Sequence, residues 1–403
     1  MQIRKARYLT LATLVAGPLL LGGCAGLDAG RDFISGITDY VMGDDDNADP
    51  PATLQEYTPE LQLETVWKES VGTGADEKYL KLIPAVADGT VYAADYKGHL
   101  QARNAASGNL AWETDTDYSF SAGPGLGVNT VVMGTNTGEV IGFDRASGEQ
   151  RWKTDVPSEV QATPVISRGT VIIRTTDGKI MALRESDGGL LWTSEHSVPA
   201  LSIRGAGTPI IIEGNVIAGA ANGKLQALQL SDGKAVWEAT IAIPSGRSEV
   251  ERLVDLDADP AASRGAIYVA SFTGGASSVS EIDGDVLWRN EAVSSYTGLS
   301  LDYRYIYISD TQGDVWQLDQ RSGASLWKQK DLHNRHLTAP VAYQSYVVVG
   351  DFEGYVHWLS VTDGRQLARI QVSKAAIEAK PVVVDDTVYI YAKDGTLAAL
   401  KAR

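Results

Sequence analysis

The chain has 403 residues, 41 glycines, one cysteine and a formal charge of −16. With 44% hydrophobic residues it has ample material for a core, and its glycine content suits many short strands joined by tight turns. The acidic balance argues against nucleic acid as a partner, since phosphate neutralisation needs a basic surface, and the single cysteine excludes an intrachain disulfide.

At the N-terminus, Arg4, Lys5 and Arg7 precede an apolar run, Leu9 to Leu21, that is too short to span a bilayer, and Leu21-Gly22-Gly23-Cys24 follows. That tetrapeptide resembles a bacterial lipobox, in which cleavage precedes a cysteine that becomes acylated on both sulfur and amine. Residues 1–23 are therefore expected to be a signal peptide and Cys24 the lipidation site; the alternative is an ordinary signal peptide with an incidental cysteine. Several acyl chains, at roughly 0.8 kcal/mol per buried CH₂, hold a protein on a membrane durably without a spanning segment. Ala25 stands where Asp commonly retains lipoproteins at the inner membrane, so the sorting pattern points to the periplasmic face of the outer membrane. Losing the leader takes the formal charge from −16 to −19.

Residues 24–60 show no sustained periodicity and include Asp44 to Asp46 and Asp49-Pro50-Pro51, which predicts a flexible tether. The acidic run reads as a solvated linker and not a cation site, because no glycine-turned loop with ligands at alternate positions follows it.

Residues 61–403 are organised as repeats. The stretch from Gly169 to Trp192 contains three runs of alternating apolar and polar residues, separated by turns at Asp177-Gly178 and Asp187-Gly188, and predicts consecutive antiparallel strands. Its Gly-x-x-x-Trp ending recurs as Gly108/Trp112, Gly148/Trp152, Gly188/Trp192, Gly233/Trp237, Gly284/Trp288 and Gly323/Trp327; Gly364 has Ala368 in place of the tryptophan. The Trp-to-Trp steps of 40, 40, 45, 51 and 39 residues match four-stranded propeller blades. The middle-hairpin glycine recurs eight times, at Gly98, Gly138, Gly178, Gly223, Gly274 or Gly275, Gly313, Gly354 and Gly395. The eighth unit ends after its third strand, while Trp67 stands alone ahead of the first. The expected fold is all-β: an eight-bladed β-propeller of four-stranded antiparallel blades, closed by the N-terminal strand, with the tryptophans filling space between blades.

Catalytic motifs are absent: there is no G-x-S-x-G, no H-E-x-x-H, no phosphate-binding loop and no cysteine pair. His333 and His336 are close in sequence, but in a loop they read as an exposed pair and not a metal site. The repeat resembles the pyrroloquinoline-quinone type of propeller. The dehydrogenases of that family need a catalytic Asp, calcium ligands and often a vicinal disulfide; the disulfide is impossible here and the other two are not identifiable, so no cofactor or metal is expected. A periplasmic quinoprotein dehydrogenase stays as the alternative, and an envelope binding module as a third reading.

The long crossovers after Trp192 and Trp237 follow consecutive blades and are expected side by side on the face that also carries the middle hairpins. In an extended segment Leu201 and Ile203 point the same way, flanked by Arg204 and facing Asp255 and Asp257, all on surface loops. That composition fits an interface anchor with a polar rim, or apolar residues packed under neighbouring loops with Arg204 paired to an aspartate in place.

The lipobox, the acidic tether, the eight blades and the stretches SVPALSIRG, SEVERLVDLD, LTAPVAYQSYVVVGDFEGYVHWLSVTDGR and AKDGT are similar to the lipoprotein B subunit of the outer-membrane β-barrel assembly machinery. In that family a Leu-x-Leu-Arg segment and a neighbouring Asp-x-Asp bind the periplasmic domains of the barrel-forming subunit. The resemblance assigns these roles to Leu201, Ile203, Arg204, Asp255 and Asp257, with Ile203 replacing the second leucine. It implies a non-enzymatic scaffold that assists insertion of unfolded outer-membrane proteins.

Overall fold

The computed structural model describes residues 49–76, 78–195, 207–244 and 252–403. Among the described residues every regular element is a strand, and the strands form eight sheets. Blade 3 shows the plan: Val165–Ser167, Thr170–Arg174, Lys179–Arg184 and Leu190–Glu195 pair antiparallel in sequence order from the axis outward. Its two middle strands are buried over four consecutive residues, whereas the outer strand alternates around buried Trp192. The difference follows from position, since middle strands are sandwiched between neighbouring blades and an outer strand is covered on one side only. Blade 2 gains a fifth strand, Lys81–Leu82, running parallel to its inner strand Phe120–Leu126.

Closure is achieved as expected. Leu63–Ser70 pairs antiparallel with Thr396–Ala402 and forms the outer strand of the eighth blade, from Leu63 opposite Ala402 to Ser70 opposite Thr396. The middle-hairpin glycine of blade 5 is Gly275, which has φ +80.

The tryptophans do more than fill space. Seven of the nine dock on the last hairpin of the next blade with the same two contacts. Trp152 Nε1 donates to the Glu185 carbonyl at 2.8 Å, and the Trp152 ring lies where a Cβ on Gly188 would be. The pattern repeats in the bonds of Trp67 to Ala105, Trp112 to Arg145, Trp192 to Leu230, Trp237 to Glu281, Trp288 to Gln320 and Trp327 to Val361. In all seven cases the glycine three residues beyond the acceptor would place a Cβ under 3.0 Å from the indole ring. The Gly-x-x-x-Trp motif thus joins two halves of two different clasps: its glycine receives the preceding blade's tryptophan, and its own tryptophan reaches forward.

This explains Ala368. The blade after it is completed by the N-terminal strand, so the hairpin glycine is missing and Leu63 stands four residues before Trp67. With no slot to receive an indole, the tryptophan moves one strand inward. Trp358, paired with Ala368, is fully buried among Val388, Ile390, Ala398 and Leu400 of blade 8, whereas the other blades place a smaller residue such as Ala182 or Gly142 opposite the outer tryptophan.

The boundary expected at residue 60 is corrected: the bound chain begins earlier. Ala52 N donates to the His333 carbonyl, Arg335 Nη1 donates to the Ala52 carbonyl at 3.0 Å, Arg369 Nη1 donates to the Gln55 carbonyl at 2.8 Å, and Arg365 pairs with Glu60 at 2.8 Å. Leu54 packs beside Leu332 and Leu337. Residues 52–60 therefore run along the outer edge of blade 7, antiparallel to Gln366–Gln371, and belong to the ring. Residues 24–48 of the expected tether and the signal peptide lie outside the described residues.

The clasp is testable with two glycines of the same handedness. Gly188 has φ +71 and meets Trp152, while Gly169 has φ +74 and open space where its Cβ would go. Gly169→Ala is expected to cost about 1 kcal/mol, from backbone strain alone. Gly188→Ala adds overpacking and is expected to cost about 2–4 kcal/mol. Urea unfolding of the two variants checks this, and equal losses contradict the clasp.

Candidate docking surface

In a four-stranded blade the middle hairpin and the crossover to the next blade leave on one face, the face expected to carry the docking residues. Leu201, Ile203 and Arg204 of the crossover from blade 3 to blade 4 lie outside the described residues, as does Cys24. The ends of that crossover and much of the next one are described, and they meet. A Cβ on Gly207 would lie 3.0 Å from the Ala258 carbonyl oxygen and 3.1 Å from that of Leu256, and Thr208 N donates to Asp259 Oδ1 at 2.6 Å. The two crossovers are therefore in direct contact, as their succession in the ring predicts.

Asp255 and Asp257 require a correction. They were expected on an exposed loop, but they are 1% and 8% exposed. The cause is the sequence Leu253-Val254-Asp255-Leu256-Asp257-Ala258, whose apolar members are all buried; Leu256 packs among Ile217, Leu225, Ile267 and Val269 between blades 4 and 5 and draws the acids in with it. Thr273 Oγ1 fixes the Leu253 carbonyl at 2.5 Å. This is a folded-in segment and not a projecting loop.

The buried acids lie near one buried cation, Arg174, and one half-buried cation, Lys81. Arg174, 7% exposed at the end of the second strand of blade 3, lies in the field of Asp257, Asp255 and Asp259 and donates through Nη1 to the Gly207 carbonyl at 3.3 Å. Lys81, on the axial side of blade 2, pairs with Asp259 and so links blade 2 to the entry of blade 5 across the centre of the ring. Burial, reinforced by the charge of Asp255, pushes the Asp257 carboxyl up to about 8, against the pull of Arg174 and Lys81. At neutral pH Asp257 therefore keeps its proton.

His333 and His336 do not form a site. His333 Nδ1 lies 2.8 Å from Asp314 Oδ1, while exposed His336 packs edge-on against Phe352. Among the described residues no three His, Cys, Asp or Glu side chains are grouped to hold a metal ion. Sequence reasoning missed Arg174, Lys81 and Asp259. Arg174 carried a readable signal, being a charge at a strand position where other blades have Ala94, Gly134, Gly219 or Gly350.

The raised Asp257 carboxyl gives a signed pH effect. An acid whose folded pKa exceeds its unfolded value binds a proton in the native state that the unfolded chain has released. The stability this provides is complete below about pH 4, falls as pH rises, and is gone above about pH 8. Asp257→Asn mimics the protonated form, so its stability relative to the parent should improve steadily between pH 5 and 8 in denaturant titrations. A constant difference across that range contradicts the shift.

A family model described as outer membrane protein assembly factor BamB matches residues 97–329 and 317–403. The outer membrane protein assembly factor BamB of Pseudomonas aeruginosa is 43% identical over 354 residues, covering 88% of this chain and 93% of that protein. The crystal structure of BamB from Moraxella catarrhalis superposes with a TM-score of 0.77 at 27% identity, covering 84% of this chain and 100% of that one. Quinohemoprotein alcohol dehydrogenase from Comamonas testosteroni superposes with a TM-score of 0.67 at 13% identity, covering 84% of this chain and 76% of that one, which is a likeness of fold alone. Matched by the family model over most of the ring and by a relative of this similarity over nearly its whole length, the chain belongs to the outer membrane protein assembly factor BamB family.

Proposed function

We propose that this chain is a non-enzymatic scaffold lipoprotein of the outer-membrane protein assembly complex. It docks through its crossover face on the periplasmic domains of the barrel-forming subunit and assists insertion of unfolded outer-membrane proteins. Family membership supports the assembly role. The observation that supports the docking surface is the contact of Gly207 and Thr208 with Leu256 to Asp259, which joins the described end of the crossover that carries Leu201, Ile203 and Arg204 in its sequence to the segment holding Asp255 and Asp257. In this reading Leu201 and Ile203 are the apolar anchor and Arg204 its polar neighbour, while the buried aspartates support the surface from beneath.

The anchor is assigned to acylated Cys24. The chain joins the ring at Ala52, beside His333 and Arg335 of the crossover between blades 6 and 7, on the same face as the docking segments. The 28 residues separating Cys24 from Ala52 allow at most about 100 Å between lipid and ring. The periplasmic face of the outer membrane is then within reach of the surface that docks.

Truncating an anchor residue at the centre of an interface typically costs about 1–4 kcal/mol. Leu201→Ala and Arg204→Ala should each weaken association with the barrel-forming subunit by that order, measured by co-purification from solubilised envelopes, with unchanged circular dichroism. Normal recovery of the subunit by folded Arg204→Ala removes that residue from the surface. For the anchor, Cys24→Ala should lose radiolabelled palmitate; a variant that keeps the label contradicts acylation at that position.

A further inference from the structure

We infer that Arg174 is a positioning residue that seats the docking crossover from beneath; the inference rests on the docking reading above. The equivalent strand position holds a small residue in six other blades and Tyr391 in blade 8, and in three of the six the space it leaves is filled by an apolar side chain of a crossover. A Cβ on Gly134 would collide with Val160, on Gly219 with Leu256, and on Gly350 with Ile377, and all three of these crossover residues are buried. A small residue below and a branched aliphatic residue above thus pin those three crossovers to their blades.

Blade 3 departs from this plan. Arg174 occupies the position itself and is buried, and its hold on the crossover is a bond to backbone, from Nη1 to the Gly207 carbonyl. Three acids of the following crossover, Asp255, Asp259 and the protonated Asp257, lie near the guanidinium, and Asp259 accepts the Thr208 amide. Arg174 therefore touches the end of one docking segment and lies in the field of the acids of the other, tying both to blade 3. Its planar fork suits this double task, because it can hold a carbonyl while facing carboxylates.

The test compares Arg174→Gln, Arg174→Lys and Arg204→Ala in the full-length lipoprotein. Two readouts are used: co-purification of the barrel-forming subunit, and amide hydrogen exchange at Thr208 and Leu256, with blade 7 strand Tyr346–Gly350 as internal control. Arg174→Gln is expected to speed exchange at Thr208 and Leu256, to leave blade 7 unchanged, and to weaken association on the order of tenfold, with partial rescue by Arg174→Lys. Unchanged exchange at both amides overturns the inference. So does parental association of Arg174→Gln when Arg204→Ala binds weakly. If Arg204→Ala also binds like the parent, the docking reading fails, and the exchange data still decide whether Arg174 seats the crossover. Should Arg174→Gln fail to fold, Arg174→Met combined with Asp257→Asn removes the buried charge and the acid facing it together, and the same readouts apply.

Discussion

Seven indole rings, each laid on a glycine of the next blade and hydrogen-bonded to a carbonyl three residues before it, set the geometry on which the rest of this ring depends. Apolar strands alone would stack blades at a range of angles. The clasp fixes one spacing, because the ring needs both a glycine that admits it and a carbonyl at the right distance. Trp67 makes the closing strand a full member of the set, since it clasps blade 1 as the other tryptophans clasp their neighbours. The single interface without a clasp lies between blades 7 and 8, where Trp358 is buried instead and where residues 52–60 approach along blade 7. The entry of the chain into the ring and the break in the clasp series are two sides of one fact: the last blade is assembled from both ends of the sequence.

A ring held at this spacing delivers its crossovers to one face in a set order, and that is what gives widely separated motifs a common surface. Gly207 touches the backbone of Leu256 to Ala258, and Lys81 reaches Asp259 from the far side of the ring. The face is supported by buried charge and not by apolar packing alone. Buried charges give little net stability, but they tolerate few arrangements of their neighbours, which suits a surface that must present loops in one register.

Much of the architecture was legible in sequence because it is periodic. The glycine and tryptophan spacings gave the blade count, the four-stranded plan and the closure by Trp67, and the fold repeats them. What was not legible depends on contacts between repeats. Ala368 looked like a lapse in the motif until the missing glycine of the next blade accounted for it. Asp255 and Asp257 looked like exposed loop acids because alternate apolar and acidic residues in a long connection carry no strand or helix period; only the pockets between blades 4 and 5 that take Leu256 decide that the segment folds inward. Residues 52–60 looked like tether because they lack periodicity, yet Arg335 and Arg369 donate to the carbonyls of Ala52 and Gln55, and Arg365 pairs with the Glu60 carboxylate. Arg174 was passed over in its apolar strand, and its meaning needed the carbonyl of Gly207.

The proposed orientation on the partner is tested most directly by placing a photo-crosslinking amino acid at two positions in living cells: at Leu201, in the crossover from blade 3 to blade 4, and at Tyr303, 78% exposed on the face opposite the crossovers. Docking through the crossovers predicts an ultraviolet-dependent adduct with the barrel-forming subunit from position 201 and none from position 303. An adduct from Tyr303 alone contradicts it.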